Sequence, residues 1–280
     1  FVENYRPGTM QDHGLDYDSL AADNPELIYL SISAFGQNGP MGHRPGFDDV
    51  IQATSGFMSI NERGDGPIRT GGPVLDYATG MHSTSAVLAA VLLRQQTGQG
   101  QRIDIAMQDV TMLLMNRHTS IAATTGVAVP PGANRDGPML GRYRAKDGYV
   151  MLAGYRASHQ RGILEAIGLM EFASFSTAQL MAQMPQIEAK VEEVLQQKTV
   201  AQWDVIFSDS GVVAGGVKDL VEVFETGQPE ARGLTTKVES AYGVHQVTSA
   251  GYRINDVTFE PGTHVPVLGE HTNEVLTALG

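Results

Sequence analysis

An alternation of strand and helix patterns between residues 27 and 125 restricts the fold of this chain more than any other feature. The apolar run LIYLSISAFG, from Leu27 to Gly36, predicts a buried strand. The next segments predict a short helix in FDDVIQATSGFMSI, a long helix after Asp76, a hairpin-like turn and strand in GQGQRIDIAM, and a helix in QDVTMLLMNRHTSIAATTG. This order is typical of an α/β fold with a mostly parallel sheet.

A change of composition then divides the chain. The segment VAVPPGANRDGPMLG, from Val127 to Gly141, contains two consecutive prolines and repeated glycine, which predicts a linker. Beyond it, YRAKDGYVMLAG predicts a β-hairpin around Asp147 and Gly148, and MPQIEAKVEEVLQQKT and VAQWDVIFSDSG predict helices. We therefore expect a second, smaller α+β domain, followed by short strands and a closing helix.

The composition excludes several classes of protein. With 280 residues, 42% of them hydrophobic, the chain can bury a substantial core. Its net charge of -12 argues against a general nucleic-acid binder, which needs clustered Lys and Arg. The absence of Cys excludes disulfides and thiolate metal sites. Since no apolar run has the length of a membrane span, about 18 to 20 residues, we expect a cytoplasmic protein without a membrane or nucleic-acid partner.

Common catalytic motifs are also missing from the sequence. It contains no Walker A motif, GxGxxG, GxSxG or HExxH. The eight His residues lack the close helical spacing of a metal-binding pair, so no metal site is predicted. His82 follows Asp76 by six positions on the same predicted helix, but a role as a catalytic base is the less expected one.

One acid in the segment GGPVLDYATGMHSTS has two interpretations. Asp76 lies where a long helix is predicted to begin. Asp is a preferred residue at a helix N-terminus, where it accepts hydrogen bonds from free backbone N–H groups. The same N–H groups and helix dipole also favour an ionised carboxylate, which a nucleophile requires. The local pattern leaves the two roles open.

Six stretches in register resemble the class III CoA-transferases, a family that also includes α-methylacyl-CoA racemases. They are VENYRPG, NPELIYLSISAFGQNGP, RPGFDDVIQATSGFMS, DYATGMHSTSAVLAAVLLRQQTGQGQRIDIAMQD, YRAKDGYVMLA and PVLGEHTNEVL. The resemblance implies a Rossmann-like large α/β domain at 1–126, a small α+β domain at 140–225 and a return to the large domain at 226–280. It also implies an interlocked homodimer and a further N-terminal segment, before VENYRPG, that this chain lacks.

The resemblance implies a reaction as well. In this family the acid at the position of Asp76 attacks an acyl-CoA thioester, and CoA then passes through an aspartyl thioester to a free carboxylic acid. Coenzyme A and acyl-CoA are substrates, and no permanently bound cofactor is expected. Asp48 occupies the position of a second acid near the reacting group, although a helix cap is an equally good interpretation of this residue.

The resemblance further implies which residues contact coenzyme A: Asn4, Tyr5 and Arg6 in one stretch, and Pro45, Gly46, Phe47 and Asp48 in another. One departure weakens the match, because Asp12 stands where relatives often have a basic residue near the CoA phosphates. A glycine-rich loop of the family would correspond to GANRDGPMLG.

Phe47 distinguishes two reactions within the family. The racemases resemble this chain but have a His at that position, as one of two groups that move the α-proton. Because Phe cannot exchange a proton, a CoA-transferase is favoured. Two alternatives stay open at this level, an acyl-CoA racemase or epimerase and an inactive CoA-binding subunit.

Overall fold

The chain divides into two compact units, Phe1–Asp136 and Gly137–Gly280. The structure is a computed structural model that describes residues 1–63, 66–130, 137–259, 262 and 264–280. The boundary between the units falls within the predicted linker. Residues 226–280 group with the second unit, and their predicted return to the large domain stays a prediction.

The first unit contains a parallel sheet and the helices that cover it. Its elements are β1 (Val2–Glu3), α1 (Thr9–Asp12), α2 (Tyr17–Asp23), β2 (Ile28–Ser33), α3 (Asp48–Thr54), α4 (Phe57–Ile60), β3 (Glu62–Arg63), β4 (Gly66–Pro67), α5 (Val74–Thr97), β5 (Gln101–Ala106), α6 (Met107–Leu114) and α7 (Asn116–Thr125).

Three of these strands form the sheet that positions the candidate site. Strand β2 lies between β1 and β5, and both of its neighbours run parallel to it. Ser33, the last residue of β2, pairs with Ala106, the last residue of β5. The sheet packs through Leu30 and Ile105 against Ala86 and other apolar residues of α5, because a parallel strand needs apolar cover on its faces. The predicted α/β fold with a parallel sheet is confirmed.

Helix boundaries differ from the sequence prediction in two places. The predicted helix FDDVIQATSGFMSI is broken at Gly56, whose φ of 87° is a left-handed conformation that glycine adopts without steric cost. The predicted helix that follows β5 is broken at Met115, which ends α6 and precedes α7.

The predicted hairpin-like turn before β5 is wrong. Gly98 ends α5 in a left-handed conformation with a φ of 68°, and its N–H donates to the Arg94 carbonyl oxygen. The Gly100 N–H then donates to the Pro25 carbonyl oxygen at 2.8 Å, which brings the chain alongside the start of β2. The turn therefore joins a helix to a parallel strand.

The second unit is an α+β arrangement with its own core. Its elements are β6 (Leu140–Arg144), β7 (Tyr149–Ala153), α8 (Ala157–Ala166), α9 (Met170–Ala173), α10 (Thr177–Ala182), α11 (Met184–Leu195), α12 (Val200–Ser210), β8 (Ala214–Gly216), α13 (Leu220–Glu225), α14 (Gln228–Ala231), β9 (Thr235–Ser240), β10 (Gly243–Thr248), β11 (Arg253–Ile254), β12 (Val257–Thr258) and α15 (Thr272–Leu279).

The predicted hairpin of this unit is confirmed, since β6 and β7 pair antiparallel. Trp203 and Phe207 of α12 stack in the core with ring centroids 5.6 Å apart, and the Trp203 indole N–H donates to the Leu195 carbonyl oxygen. Among the described residues of both units, no helix is long and apolar enough to cross a membrane.

Candidate active site

A groove lies beyond the carboxyl ends of the three parallel strands. Two cavities of about 270 and 350 Å³ share Asn4, Ser33, Ala34, Gly46 and Phe47 in their walls and so adjoin each other. Asn4 follows β1 and Ser33 ends β2. Ligands of open α/β sheets bind at this edge, outside the carboxyl ends of the strands. The fold therefore places the groove where a substrate site is expected.

Asp76 lines the larger of the two cavities. It is the third residue of α5, and the residue is exposed. Throughout the described ranges, no hydrogen bond to its carboxyl oxygens is found. The position at the start of α5 agrees with the sequence prediction, but the side chain does not cap the helix.

The cap of α5 comes from another helix. Asp48, the first residue of α3, accepts hydrogen bonds at Oδ2 from the Leu75 N–H at 2.7 Å and the Asp76 N–H at 3.1 Å. Pro73, at the N-cap position, contributes no side-chain hydrogen bond. Asp48 therefore performs the capping role that the sequence pattern offered for Asp76, and the helix that it caps is α5 and not its own helix α3.

A second pair of contacts fixes the Asp48 carboxylate. The Gln52 side-chain amide donates to Asp48 Oδ1 at 2.5 Å, and Gln52 Oε1 accepts from the Thr70 N–H at 2.9 Å. Asp48 and Gln52 are both buried. Hydrogen bonds from several N–H groups hold a buried carboxylate rigidly in position. The start of α5, and with it Asp76, is thereby fixed against α3.

The electrostatic environment of Asp76 differs from the sequence expectation. Partial burial raises the pKa of Asp76 above its ordinary value, and the negative charges of Asp48 and Asp49 raise it further. The N–H groups that were expected to favour the ionised form of Asp76 include those of Leu75 and Asp76 itself, and both donate to Asp48 instead. Asp49 is itself paired with Arg69 at the surface.

The two sequence stretches predicted to contact coenzyme A meet in the smaller cavity. Its wall contains Asn4, Tyr5 and Arg6 from the first stretch and Pro45, Gly46 and Phe47 from the second. Asp48, the last residue of the second stretch, is buried and lines neither cavity. The structure thus brings these residues together, and their contact with a cofactor stays a prediction.

Gly46 is required by a close approach of the backbone to β2. A Cβ atom at this position would lie 2.9 Å from the Ala34 Cβ atom and 3.2 Å from the Ile51 Cδ1 atom. A Cβ contact of 2.9 Å essentially never occurs in proteins, so a larger residue would force the Pro45–Phe47 segment or its neighbours to move.

Several wall residues were not predicted from the sequence as site residues. Ser33, Ala34 and Met107 line the larger cavity because they end or follow parallel strands, and Thr79 lines it from α5. The signal that could have identified the first three is their position at strand ends. Arg44 also lines the smaller cavity, and its Cζ atom lies 5.6 Å from the Phe35 ring centroid.

Other residues singled out in the sequence lie elsewhere. His82 is exposed on α5 and lines neither cavity. Of the predicted glycine-rich loop GANRDGPMLG, the part up to residue 136 lies outside the described residues. In the part of the chain that the structure describes, no group of three or more His, Asp or Glu side chains could hold a metal ion.

Comparison with known proteins identifies the class. The sequence model of CoA-transferase family III matches residues 1–272, so the chain belongs to this family, and the resemblance found in the sequence is confirmed. Succinyl-CoA:glutarate CoA-transferase from Mus musculus is 30% identical in an alignment of 288 positions that covers 99% of this chain and 65% of that protein.

Further relatives agree in family and in fold. Acetyl-CoA:oxalate CoA-transferase from Acetobacter aceti is 32% identical, over 84% of this chain and 63% of that protein. A crystal structure of a CaiB/BaiF family protein from Brucella suis superposes with a TM-score of 0.84 at 27% identity, covering 100% of this chain and 75% of that one. The chain thus spans somewhat less than two thirds of the length of the first and second of these relatives.

Proposed function

We propose that the intact protein is a CoA-transferase that moves coenzyme A from an acyl-CoA thioester to a carboxylic acid, with Asp76 as the covalent nucleophile. The observation that carries this proposal is that two neighbouring acids have different hydrogen-bonding environments. Asp48 is buried and accepts several hydrogen bonds, whereas Asp76, in the first turn of α5, lies in the wall of the groove with a carboxyl group that accepts no hydrogen bond from the described residues. A nucleophile needs such a fixed but unengaged oxygen.

The proposed reaction proceeds through two acyl exchanges at Asp76. A carboxylate oxygen attacks the thioester carbon, the C–S bond breaks, and an anhydride and CoA thiolate result. The thiolate then attacks the Asp76 carbonyl carbon, which releases the first acid and leaves an aspartyl-CoA thioester. An acceptor carboxylate reverses these two steps and leaves with CoA, so no net proton transfer is required. Covalent catalysis of this kind replaces one difficult exchange by several easier ones.

The remaining groove residues have binding and positioning roles in this proposal. Asn4, Tyr5 and Arg6, with Pro45, Gly46 and Phe47, contact coenzyme A, which is a substrate and not a permanent cofactor. Asp48 acts as a positioning residue because it fixes the first turn of α5. Arg6 and Arg44 supply positive charge to the smaller cavity, which suits the phosphates of CoA.

Short dicarboxylic acids are the acceptor class that we propose. Relatives are named for transfer to glutarate, oxalate and mesaconate. A panel of these and of monocarboxylic acids, assayed with the intact protein and several acyl-CoA donors, tests this choice. Preference for a monocarboxylic acid would contradict it without affecting the role of Asp76.

The proposed working form is a cytoplasmic homodimer. Large apolar side chains on one side of α5 are exposed, and they are Tyr77, Met81, Leu88 and Leu92. Side chains of this kind are commonly covered by an interface. Sedimentation of the intact protein tests the assembly, and a monomer at micromolar concentration would contradict it.

Trapping the intermediate tests the mechanism. The intact protein is incubated with acyl-CoA, treated with hydroxylamine and mapped by mass spectrometry, with Asp76→Asn as the control. We expect a hydroxamate on Asp76 in the wild type and none in the variant. Modification of another residue with Asp76 untouched would contradict the mechanism.

Isotope exchange separates the proposal from its main alternative. Phe47 lines both cavities and cannot carry a proton, which disfavours two-base racemisation. We expect no deuterium from the solvent at the α-carbon of a 2-methylacyl-CoA in the absence of an acceptor acid. Rapid deuterium uptake would select a racemase or epimerase, and CoA binding without any exchange would select an inactive binding subunit.

A further inference from the structure

A buried hydroxyl group beside Asp76 has no role in the mechanism described so far. Thr79 is 3% exposed, and its Oγ1 atom is shielded from solvent with no hydrogen-bond partner among the described residues. Thr79 nevertheless lines the cavity that contains Asp76. A buried polar atom without a partner is uncommon and costly, so it requires an explanation.

Threonines elsewhere in α5 show what such a hydroxyl normally does. Thr84 Oγ1 donates to the Gly80 carbonyl oxygen at 3.0 Å, and Thr97 Oγ1 donates to the Leu93 carbonyl oxygen at 2.9 Å. This bond to the preceding turn is the usual arrangement for a threonine within a helix. Thr79 departs from it, so its hydroxyl proton is not committed to the helix backbone.

The spacing of the two residues brings this hydroxyl to the reacting group. Thr79 follows Asp76 by three positions, so their side chains lie on the same face of α5 with Cβ atoms about 5–6 Å apart. Rotation about χ1 moves the threonine hydroxyl from one staggered position to another. Because no hydrogen bond to a described residue holds the hydroxyl, it is free to rotate towards the cavity that Thr79 lines.

We propose that Thr79 donates a hydrogen bond to the carboxyl oxygen of Asp76 when that oxygen becomes an oxyanion. The inference rests on the proposed function. As the CoA thiolate attacks the Asp76 carbonyl carbon, a C–S bond forms and the π electrons of the carbonyl move to oxygen. When the C=O bond re-forms, the bond to the departing acid breaks. Thr79 keeps its proton throughout and stabilises the negative charge that exists only while the Asp76 carbonyl carbon is tetrahedral.

One consequence distinguishes this role from binding of a substrate. Thr79 and the Asp76 carbonyl carbon belong to the same helix, so the donor keeps its position whichever acid is exchanged. The loss caused by removing the hydroxyl is therefore equal, within about threefold, for every donor and acceptor pair. A residue that recognised one acid would produce unequal losses.

The test compares three variants of the intact protein. Thr79→Val removes the hydroxyl and keeps the shape, Thr79→Ser keeps the hydroxyl, and Ser83→Ala is the matched control. Ser83 lies one turn further along α5, is 4% exposed and has a buried Oγ atom with no hydrogen-bond partner in the described part of the chain, but it does not line the cavity. We expect kcat to fall about 100-fold in Thr79→Val, with a small change in KM, and to stay near the wild-type value in the other two variants.

Equal losses in Thr79→Val and Ser83→Ala, or a normal kcat in Thr79→Val, would overturn the proposal. If the valine variant fails to fold, Thr79→Ala removes the hydroxyl without adding bulk and carries the same expectation. Hydroxylamine trapping on the wild type separates this proposal from the function on which it rests. Absence of the Asp76 adduct in the wild type refutes the mechanism, whereas a wild-type rate of adduct formation in Thr79→Val refutes only the role of Thr79.

Discussion

Asp48 caps the helix that carries Asp76, with Oδ2 accepting the Leu75 and Asp76 N–H groups at 2.7 and 3.1 Å. The two acids are 28 positions apart in the sequence, and they lie on different helices. One carboxylate is thus committed to structure, which leaves the other available for chemistry. This division makes the effects of substituting the two acids separable.

Removing the cap is expected to lower stability. Asp48→Ala leaves the Leu75 N–H and the Gln52 amide without their acceptor, so the free energy of unfolding falls by about 1–3 kcal/mol. Denaturant unfolding measures this loss. Asp49→Ala is the control, because its ion pair with Arg69 lies at the surface and its removal changes stability by less than about 0.5 kcal/mol. Equal losses in the two variants would contradict the cap.

The pH dependence of activity follows from the raised pKa of Asp76. Only the ionised carboxylate attacks a thioester, so kcat/KM falls as the pH decreases through the pKa of Asp76, and it does so at a higher pH than for an ordinary aspartate. Asp49→Asn removes one of the negative charges that raise this pKa and releases the Arg69 cation. Both changes favour the ionised form of Asp76. The acid limb of the pH profile, where kcat/KM falls with decreasing pH, therefore moves to lower pH.

A distant aspartate provides the comparison for this pH experiment. Asp23 is exposed at the end of α2, and Asp23→Asn is expected to leave the profile unchanged. Burial still raises the pKa of Asp76 in Asp49→Asn. The pH at which kcat/KM falls therefore stays above that of a fully solvated aspartate. An acid limb that stays in place in Asp49→Asn would show that the limb belongs to another group.

A single methyl group in the groove wall is expected to damage the site. Gly46→Ala places a Cβ atom 2.9 Å from the Ala34 Cβ atom, so the segment must move, at a cost of about 1–3 kcal/mol in stability. We expect KM for acyl-CoA to rise more than kcat falls, because this segment lines the smaller cavity. At Gly71 an added Cβ atom meets nothing within 4 Å, and Gly71→Ala should leave KM for acyl-CoA unchanged.

Positive charge in the smaller cavity is expected to contribute to CoA affinity. Arg44→Ala raises KM for acyl-CoA about tenfold, equivalent to about 1.4 kcal/mol, because a charge-assisted contact with phosphate is lost. The effect shrinks as the salt concentration rises. Arg94→Ala is the control, because Arg94 lies in the last turn of α5 and donates to the Glu26 carbonyl oxygen. Equal effects of the two substitutions would exclude a specific role of Arg44.

Local patterns predicted the secondary structure around the site but not the contacts between its elements. The apolar run that became β2 and the segment that became α5 were predictable from composition and spacing, since burial and helix propensity act over short stretches. The breaks at Gly56 and Met115 were missed, because periodicity alone does not register a single left-handed or irregular residue.

The capping arrangement could not be predicted from a local pattern. Asp48 and Asp76 both lie at the start of a helix. Residue preferences at helix N-termini therefore predict a capping role equally for either acid. Which carboxylate receives the N–H groups depends on the packing of α3 against α5, a contact between segments well separated in sequence. The raised pKa of Asp76 has the same origin, because its causes are burial and charges brought close by that packing.

Gln52 and Asp48 together hold both ends of the short segment between Thr70 and Leu75, because Gln52 Oε1 accepts from the Thr70 N–H and Asp48 Oδ2 accepts from the Leu75 N–H. The length of this segment is thereby set by the distance between the Asp48 and Gln52 side chains on α3. Insertions before Thr70 leave the reach of Asp76 into the groove unchanged, whereas a residue inserted after it shifts the register of the whole helix. We therefore expect an added residue to be tolerated before Thr70 and not between Thr70 and Leu75.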